Sequence, residues 1–247
     1  MTKSSHKRRE ALQQFINRLG LSTASCPDAS RALNLLDEAL THTSTGRHIN
    51  HERLEFLGDA VLRLAASEYI EQHHAQLPVG ERSALRAQLV SDRWLAALGA
   101  EINIDAVQTI GAKAKGDDAG RATLRAEATE ALIGALYQGW SSLEPVQCLL
   151  TPHWHVTAQA VLATPHKFNG KTTLQEWSQG QGLGLPYYAT EECSRQHGDP
   201  ERFRCRVSIQ GRDLAEAKGR SRKEAEQNAA SAALQALGGC DARQASQ

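Results

Sequence analysis

Acidic side chains recur at helical spacing in two apolar stretches of the chain. In the first, HERLEFLGDAVLRL, the carboxylates Glu52, Glu55 and Asp59 fall within an arc of roughly 60° if the stretch is helical. In the second, Glu127 and Glu130 are three residues apart and share a face. Like charges stacked on a helix repel one another by a few tenths of a kcal/mol per pair. Carboxylates grouped in this way are the ligands that a hard cation such as Mg²⁺ prefers.

Each acidic stretch also carries a glycine inside the predicted helix. Gly58 costs about 1 kcal/mol relative to alanine, and it leaves space beside Glu55. Gly134 lies on the carboxylate face of the second stretch. An acidic face on one helix alone is as typical of a solvated surface as of a metal site. Two such helices favour a facing pair that pools four carboxylates around a metal ion.

Apolar residues with helical periodicity fill the first two thirds of the chain. They predict helices over 10–19, 31–40, 52–74, 81–90, 92–100, 127–139 and 143–162, the last interrupted at Pro152. In the first acidic helix one stripe is expected to face the core: Leu54, Leu57, Val61 and Leu64.

Two segments of this region lack the pattern. Residues 1–9 are predicted to be a ragged basic end, and Ser30 is predicted to cap the second helix. Residues 111–120 are rich in glycine and charge, which predicts a loop. Asp117 and Asp118 in that loop are interpreted as solvated acids.

Strand patterns begin only after a predicted linker at 164–170. The Thr172–Gln175 capping-box pattern predicts the start of a short helix. Strands follow at 187–193 and 203–209, and a third begins within 214–217 after a hairpin turn at 210–213. An alanine-rich helix over 221–237 completes an α-β-β-β-α order.

Cations cluster where this last helix begins. Lys218 and Arg220 precede it, and Arg222 and Lys223 occupy its first turn. Cations at a helix N-terminus oppose the helix dipole at a cost of about 0.3–1 kcal/mol each. A phosphate bound by the free N–H groups and the basic side chains would explain the cluster, whereas a solvated basic turn is the alternative.

The two acidic stretches resemble a known family. Residues 50–61, NHERLEFLGDAV, are similar to the signature of ribonuclease III, and EALIGALY at 130–137 resembles its second acidic motif. The resemblance includes ALTHTS at 39–44, and after the linker it continues into a double-stranded-RNA-binding domain. It implies an all-α nuclease domain over 1–163, a linker over 164–170, and a small α+β RNA-binding domain over 171–240.

The same resemblance implies a mechanism and its residues. Four carboxylates would hold Mg²⁺, with Mn²⁺ as a substitute: Glu55, Asp59, Glu127 and Glu130. Asp59 and Glu130 would be catalytic. The products would be double-stranded RNA fragments with 5′-phosphate and 3′-hydroxyl ends and short 3′ overhangs. Phe56 matches the position that packs across the family's homodimer interface. One departure is that the family usually has aspartate where this chain has Glu127.

RNA contacts are implied in three places. Gln175 and Glu176 match the first-helix positions, although Gln175 could instead complete the helix cap. His197 matches a minor-groove reader in the loop after the first strand, but its spacing to Phe203 is longer than in the family. The basic turn at 218–223 is the third place. Such domains read the shape and backbone of duplex RNA.

Composition is compatible with these expectations. The 28 basic and 28 acidic side chains give zero net charge, so basic patches would be balanced by the acidic site. Five cysteines without CxxC spacing are typical of reduced thiols in a cytoplasmic protein. The sequence predicts neither a membrane span nor a signal peptide. With this composition, the resemblance to ribonuclease III implies a cytoplasmic endoribonuclease that processes ribosomal RNA precursors and other structured transcripts. The alternative is a double-stranded-RNA-binding regulatory protein with weak or no cleavage.

Overall fold

A computed structural model describes residues 3–114, 118–163, 165–195 and 199–244 of the chain. It divides into two compact units, Met1–Gln159 and Ala160–Gln247. Within the described residues, no helix is long and apolar enough to cross a membrane. Cys26, Cys148, Cys193 and Cys205 are free thiols.

The first unit is built from helices, as the sequence predicted. They are α1 (Lys3–Arg18), α2 (Ala29–Ala39), α3 (Glu52–His73), α4 (Val79–Leu89), α5 (Asp92–Glu101), α6 (Asp118–Trp140) and α7 (Glu144–Ala163), which runs on into the second unit. An isolated parallel bridge joins Thr41 to Thr109. The core forms where α6 packs against α2, α3 and α5.

The prediction that residues 1–9 form a ragged basic end is wrong from residue 3 onward, because α1 begins there. Tertiary contacts explain the difference. The Arg8 guanidinium donates to the carboxylate of Asp37 at 2.6 Å and to the carbonyl of Val107 at 2.6 Å. The cap of α2 is Asp28, whose Oδ1 accepts the N–H of Arg31 at 3.0 Å, so the assignment of Ser30 as the cap was also wrong.

Two further boundaries differ from the sequence prediction. α6 begins at Asp118, so the end of the predicted loop at 111–120 is helical, while Asp117 lies outside the described residues. Pro152 lies inside α7 without interrupting it. Leu150 and Trp154 on either side of it are fully buried, so core packing maintains the helix through the proline.

The helices α3 and α6 cross so closely that no side chain fits at their contact. A Cβ atom added to Gly58 would overlap the carbonyl oxygen of Glu130 and lie 3.2 Å from the nitrogen of Gly134. One added to Gly134 would overlap the carbonyl oxygen of Leu54. The space that the sequence assigned to Gly58 is therefore filled by the backbone of the facing helix.

The buried stripe of α3 follows this crossing. Leu54 and Val61 are buried as predicted, but Leu64 is 51% exposed and Leu62 is buried in its place. The prediction for Leu64 was wrong because the contact with α6 buries a face of α3 that is rotated relative to the apolar stripe predicted from 3–4 spacing. On the facing helix α6 the buried residues include Ala128, Leu132, Ala135 and Leu136.

The second unit confirms the α-β-β-β-α order. Its elements are α8 (Pro165–Gly180), β1 (Tyr187–Glu192), β2 (Phe203–Ile209), β3 (Arg212–Gly219) and α9 (Arg222–Gln244). The strands form an antiparallel sheet in the order β1-β2-β3. Alternate residues of β2 pack against the alanine face of α9, and the core consists of Leu174, Cys205, Val207, Ile209, Ala225, Ala229, Ala230 and Ala233.

The start of α8 differs from the prediction. The helix begins at Pro165, so the segment assigned as a linker is helical from there, and Thr172 lies inside the helix rather than at its cap. Thr164 lies outside the described residues. Gly170 packs against α9, where an added Cβ would lie 2.5 Å from the hydroxyl of Ser231. This packing gives the early turns of α8 a tertiary partner. The domain limits 1–163 and 171–240 stay a prediction.

The hairpin between β2 and β3 is tighter than predicted. Its turn consists of Gln210 and Gly211, which have φ angles of 49° and 77°, so Arg212 and Asp213 belong to β3. Two consecutive residues in the left-handed region are the pattern of the two-residue turn that matches strand twist.

Replacement of Gly58 by alanine tests the helix crossing. In a helix without close neighbours, this change would stabilise the helix by up to about 1 kcal/mol. Here the added methyl meets backbone atoms that cannot rotate away, so we expect a loss of roughly 2 kcal/mol or more in the free energy of unfolding. Chemical denaturation measures it. The control is Gly80→Ala in α4, where nothing lies within 4 Å of the added atom and no loss is expected. Equal effects of the two changes would contradict the close crossing.

Candidate active site and nucleic-acid interface

The crossing of α3 and α6 brings both acidic stretches to one cleft. The side chains that line it come from α3, α6 and the segment between α2 and α3. They are His42, Thr43, His51, Glu52, Glu55, Phe56, Asp59, Glu127 and Glu130. All four predicted metal-binding carboxylates are in this set, so the structure brings together what the sequence could only place on separate helices.

The acids of the cleft perturb one another's protonation. Burial raises the pKa of Glu130 to about 7, and the negative charges of Asp59 and Glu55 add to the increase. Burial also raises the pKa of Glu55, with further contributions from Glu127 and Glu52. A bound divalent cation would remove this repulsion and would favour the ionised forms.

Asp59 already has a cationic partner on its own helix. Arg63, one turn later, donates to its carboxylate with an Nη2–Oδ1 distance of 2.8 Å. Both side chains are substantially exposed. The pair reduces the negative charge of the cleft at one side, and a metal ion bound by Asp59 would compete with it. The sequence analysis did not single out Arg63, although its i+4 spacing from Asp59 was a usable signal.

Two histidines, which the sequence analysis did not assign to the site, complete the cleft. The segment that carries them is fixed by backbone hydrogen bonds, from the N–H of His42 to Thr109 and from the N–H of His51 to Thr41, both at 2.9 Å. The His42 and His51 rings stack with centroids 4.8 Å apart. Their sequence signal was their position, because His51 lies within the signature at 50–61 and His42 within ALTHTS at 39–44.

Both imidazoles point toward Glu127. The Nε2 atom of His42 lies 3.4 Å from the Glu127 carboxylate, and that of His51 lies 3.6 Å from it and 3.2 Å from the Glu55 carboxylate. His51 is only 3% exposed. Burial, followed by the charge on His42, lowers the pKa of His51, which favours a neutral ring. The cleft therefore offers imidazole nitrogens as well as carboxylate oxygens.

The basic turn before α9 is present, and it is partly neutralised. Ser221 caps the helix, because its hydroxyl accepts the N–H of Glu224 at 3.1 Å. Glu224 accepts the N–H of Arg220, one residue before the cap, and pairs with the Arg220 guanidinium at 2.8 Å. Lys218 pairs with Glu201 at 2.7 Å. These ion pairs are exposed, so a phosphate could replace either carboxylate at small cost.

The other predicted contact residues are solvent-exposed where the structure describes them. Arg222 lies over the ring of Phe203 at 5.8 Å, and Lys223 is exposed in the first turn of α9. Gln175 and Glu176 are exposed on α8. Because α8 begins ten residues before Gln175, a capping role for that side chain is excluded. His197 lies outside the described residues.

Comparison with known proteins identifies both units. A family model described as Ribonuclease-III-like matches residues 33–143, and a double-stranded RNA binding motif matches residues 171–237. A protein named Ribonuclease 3 from Prochlorococcus marinus is 57% identical over 205 residues, which are 83% of this chain and 82% of the relative. The chain belongs to the ribonuclease III family. Ribonuclease 3 2 from a Nostoc species is 38% identical over 231 residues, 94% of each chain.

A solved structure is also similar. It is the nuclease domain of ribonuclease III from Campylobacter jejuni, with 29% sequence identity, coverage of 58% of this chain and 94% of that chain, and a TM-score of 0.49. The family assignment itself rests on the sequence relatives.

Membership of the ribonuclease III family establishes the broad function. The chain is an endoribonuclease with a double-stranded-RNA-binding domain. The family is metal-dependent, and the cleft described above has the coupled carboxylates that a divalent cation requires. The ribonuclease III resemblance, the enzyme class and the two-part fold are thus confirmed.

The raised pKa of Glu130 predicts an unusual pH dependence of stability in the absence of metal. The folded state holds this proton more tightly than the unfolded chain, where the carboxyl has its ordinary value of 4.5. The stability that protonated Glu130 contributes to the folded state is therefore fully present below about pH 4.5 and is lost as the pH rises through 7. In chelator at pH 8, Glu130→Gln should be more stable than the unchanged protein by on the order of 2 kcal/mol.

Thermal unfolding in chelator at pH 5 and pH 8 measures this difference. The advantage of Glu130→Gln should grow between the two pH values. Glu81→Gln, which removes an exposed charge on α4 outside the cleft, is the control for surface charge. A Glu130→Gln effect of the same size at both pH values would contradict the burial of an ionised carboxyl.

The basic turn predicts where duplex RNA is held. Lys223→Ala should weaken duplex binding by roughly threefold to tenfold at moderate salt, whatever the RNA sequence. It should also reduce the slope of log binding constant against log salt concentration by about one. Fluorescence anisotropy at several salt concentrations measures both quantities. Arg212→Ala at the hairpin end of β3, seven residues before Gly219, is the matched control. If the control weakens binding equally, the turn is not the contact surface.

Proposed function

We propose that this ribonuclease III family member is a Mg²⁺-dependent nuclease that cuts duplex RNA to 5′-phosphate and 3′-hydroxyl ends. The observation that supports this function is the convergence of four carboxylates from α3 and α6 in one cleft. A protein that only bound RNA would gain nothing from such a concentration of like charge, because burial and then mutual repulsion raise the pKa of Glu130 and Glu55.

The four carboxylates are assigned distinct roles in this proposal. Glu55, Asp59, Glu127 and Glu130 would hold the metal, and Asp59 and Glu130 would lie nearest the reacting phosphate. When bound, Mg²⁺ supplies Lewis-acid stabilisation of the phosphate and an activated water. Mn²⁺ is the expected substitute, because it takes the same oxygen ligands. Glu130 must lose its proton before it can act as a ligand, so metal binding and deprotonation are linked at this side chain.

A homodimer is part of the proposal. Phe56 lies at the edge of the cleft and is 86% exposed, which is unfavourable for a large aromatic side chain in a monomer. Packing of Phe56 against a second copy would bury it and would place two clefts on one duplex. Two centres that cut opposite strands would leave the short 3′ overhangs implied by the family resemblance.

Duplex recognition is assigned to the second unit. The proposed contacts are Gln175, Glu176, His197, Lys218, Arg220, Arg222 and Lys223, of which those described are all exposed. A domain of this type reads A-form shape, phosphates and 2′-hydroxyls. Ribosomal RNA precursors and other structured transcripts are the proposed substrates, and the cytoplasm is the proposed location.

A direct assay separates cleavage from binding alone. An end-labelled perfect RNA duplex is incubated with Mg²⁺ or with chelator and resolved on denaturing and native gels. We expect Mg²⁺-dependent short products with 5′-phosphates. Glu130→Gln should lower the cleavage rate by on the order of 10²-fold or more, the scale of losing one electrostatic stabiliser of a transition state, while duplex binding is kept.

The control variant for this assay is Glu81→Gln, an exposed acid outside the cleft, which should cut normally. An unchanged cleavage rate in Glu130→Gln would refute the site assignment. A duplex that the unchanged protein shifts but leaves intact would support the alternative, a double-stranded-RNA-binding regulatory protein with weak or no cleavage.

A further inference from the structure

Two imidazoles and one carboxylate converge beside the all-oxygen ligand set. We infer that His42, His51 and Glu127 form a site for a divalent transition-metal ion of the Zn²⁺ class. This inference rests on the proposed function only in that Glu127 belongs to both ligand sets. Its chemistry differs, because imidazole nitrogen favours Zn²⁺-like ions whereas Mg²⁺ prefers oxygen.

The geometry of the three side chains is close to that of a metal site. One ligand atom from each of the three lies within 4.8 Å of the others. The two Nε2–Oε2 distances to Glu127 are 3.4 Å and 3.6 Å. Ligand atoms about 2.0–2.2 Å from a tetrahedral Zn²⁺ lie roughly 3.3–3.6 Å apart, so little movement is needed. The carboxylate of Glu55 lies beside these three, 3.2 Å from the Nε2 of His51.

The position of His51 directs one ring nitrogen into the cluster. The side chain is buried, and its ring stacks on that of His42 with centroids 4.8 Å apart. Its Nε2 atom faces the Glu127 carboxylate at 3.6 Å. Burial and stacking therefore hold an imidazole nitrogen at the point where the three side chains meet.

His42 has the support that metal-binding histidines usually have. The hydroxyl of Ser44 lies 2.7 Å from its Nδ1 atom and can accept a hydrogen bond from the Nδ1–H group when Nε2 binds metal. That hydroxyl also accepts the N–H of Gly111 at 3.0 Å, which fixes its position. In the other tautomer, Nδ1 accepts the N–H of Ser44 at 3.1 Å and Nε2 donates to Glu127. Ser44 can therefore serve both the empty and the loaded site.

The extra methylene of Glu127 is relevant to this site. A glutamate places its carboxylate about one carbon–carbon bond, roughly 1.5 Å, farther from the helix than the aspartate that the family usually has. In this structure that reach brings the carboxylate to both imidazoles. Glu127→Asp should therefore weaken the nitrogen-containing site specifically.

Cobalt is a suitable probe, because Co²⁺ replaces Zn²⁺ and its visible absorption reports nitrogen ligation and coordination number. The experiment titrates the full chain, without RNA, with Co²⁺ in millimolar Mg²⁺. We expect an intense visible band with one equivalent bound, removed by Zn²⁺ and unaffected by further Mg²⁺. His42→Gln and Glu127→Asp should each weaken Co²⁺ binding by about tenfold or more, because even the loss of a residue that only supports a metal ligand lowers metal affinity by about 10- to 100-fold. His51→Gln is informative if its circular dichroism shows that it is folded.

The matched control is His48→Gln, an exposed histidine in the same segment, which should leave the band unchanged. A band that survives both His42→Gln and Glu127→Asp, or no band in the unchanged protein, would overturn the inference. Ligation by a cysteine would appear as a thiolate charge-transfer band that ignores the histidine variants, and it too would overturn the inference. Cleavage of duplex RNA by Mg²⁺-loaded protein is independent of these spectra, so failure here leaves the proposed nuclease function to its own test.

Discussion

Two helices with no side chain at their point of contact bring the acidic cleft together. Gly58 of α3 and Gly134 of α6 allow one backbone to lie against the other. This spacing sets how far apart the carboxylates on the two helices can be. It also explains why each acidic stretch has a glycine at its centre despite the cost to helix stability. The site and the core of the first unit are therefore fixed by the same contact.

Electrostatic strain is the consequence of that contact. Burial in the cleft, followed by the charges of Asp59 and Glu55, raises the pKa of Glu130 to about 7. Arg63 pairs with Asp59, and the two histidines lie against Glu127. The negative charge of the cleft is thus reduced by protonation and by ion pairing. A bound cation would instead stabilise the ionised carboxylates and, with them, the folded state.

The second unit distributes charge in a different way. Its basic turn opposes the dipole of α9, and nearby acids neutralise part of it through exposed ion pairs with Lys218 and Arg220. Exposed pairs of this kind contribute little stability, so the pairing of Lys218 and Arg220 costs little to break. The 28 basic and 28 acidic side chains of the chain balance to zero net charge.

The sequence by itself determined the element types, the two-part organisation and the four carboxylates, because helical spacing, strand alternation and the family motifs are local patterns. Tertiary structure alone decided the rest. Packing onto neighbouring helices extended α1 to Lys3, kept α7 continuous through Pro152 and exposed Leu64. It also brought His42 and His51 to Glu127, more than seventy residues away in the chain, and local periodicity carries no information about a contact at that separation.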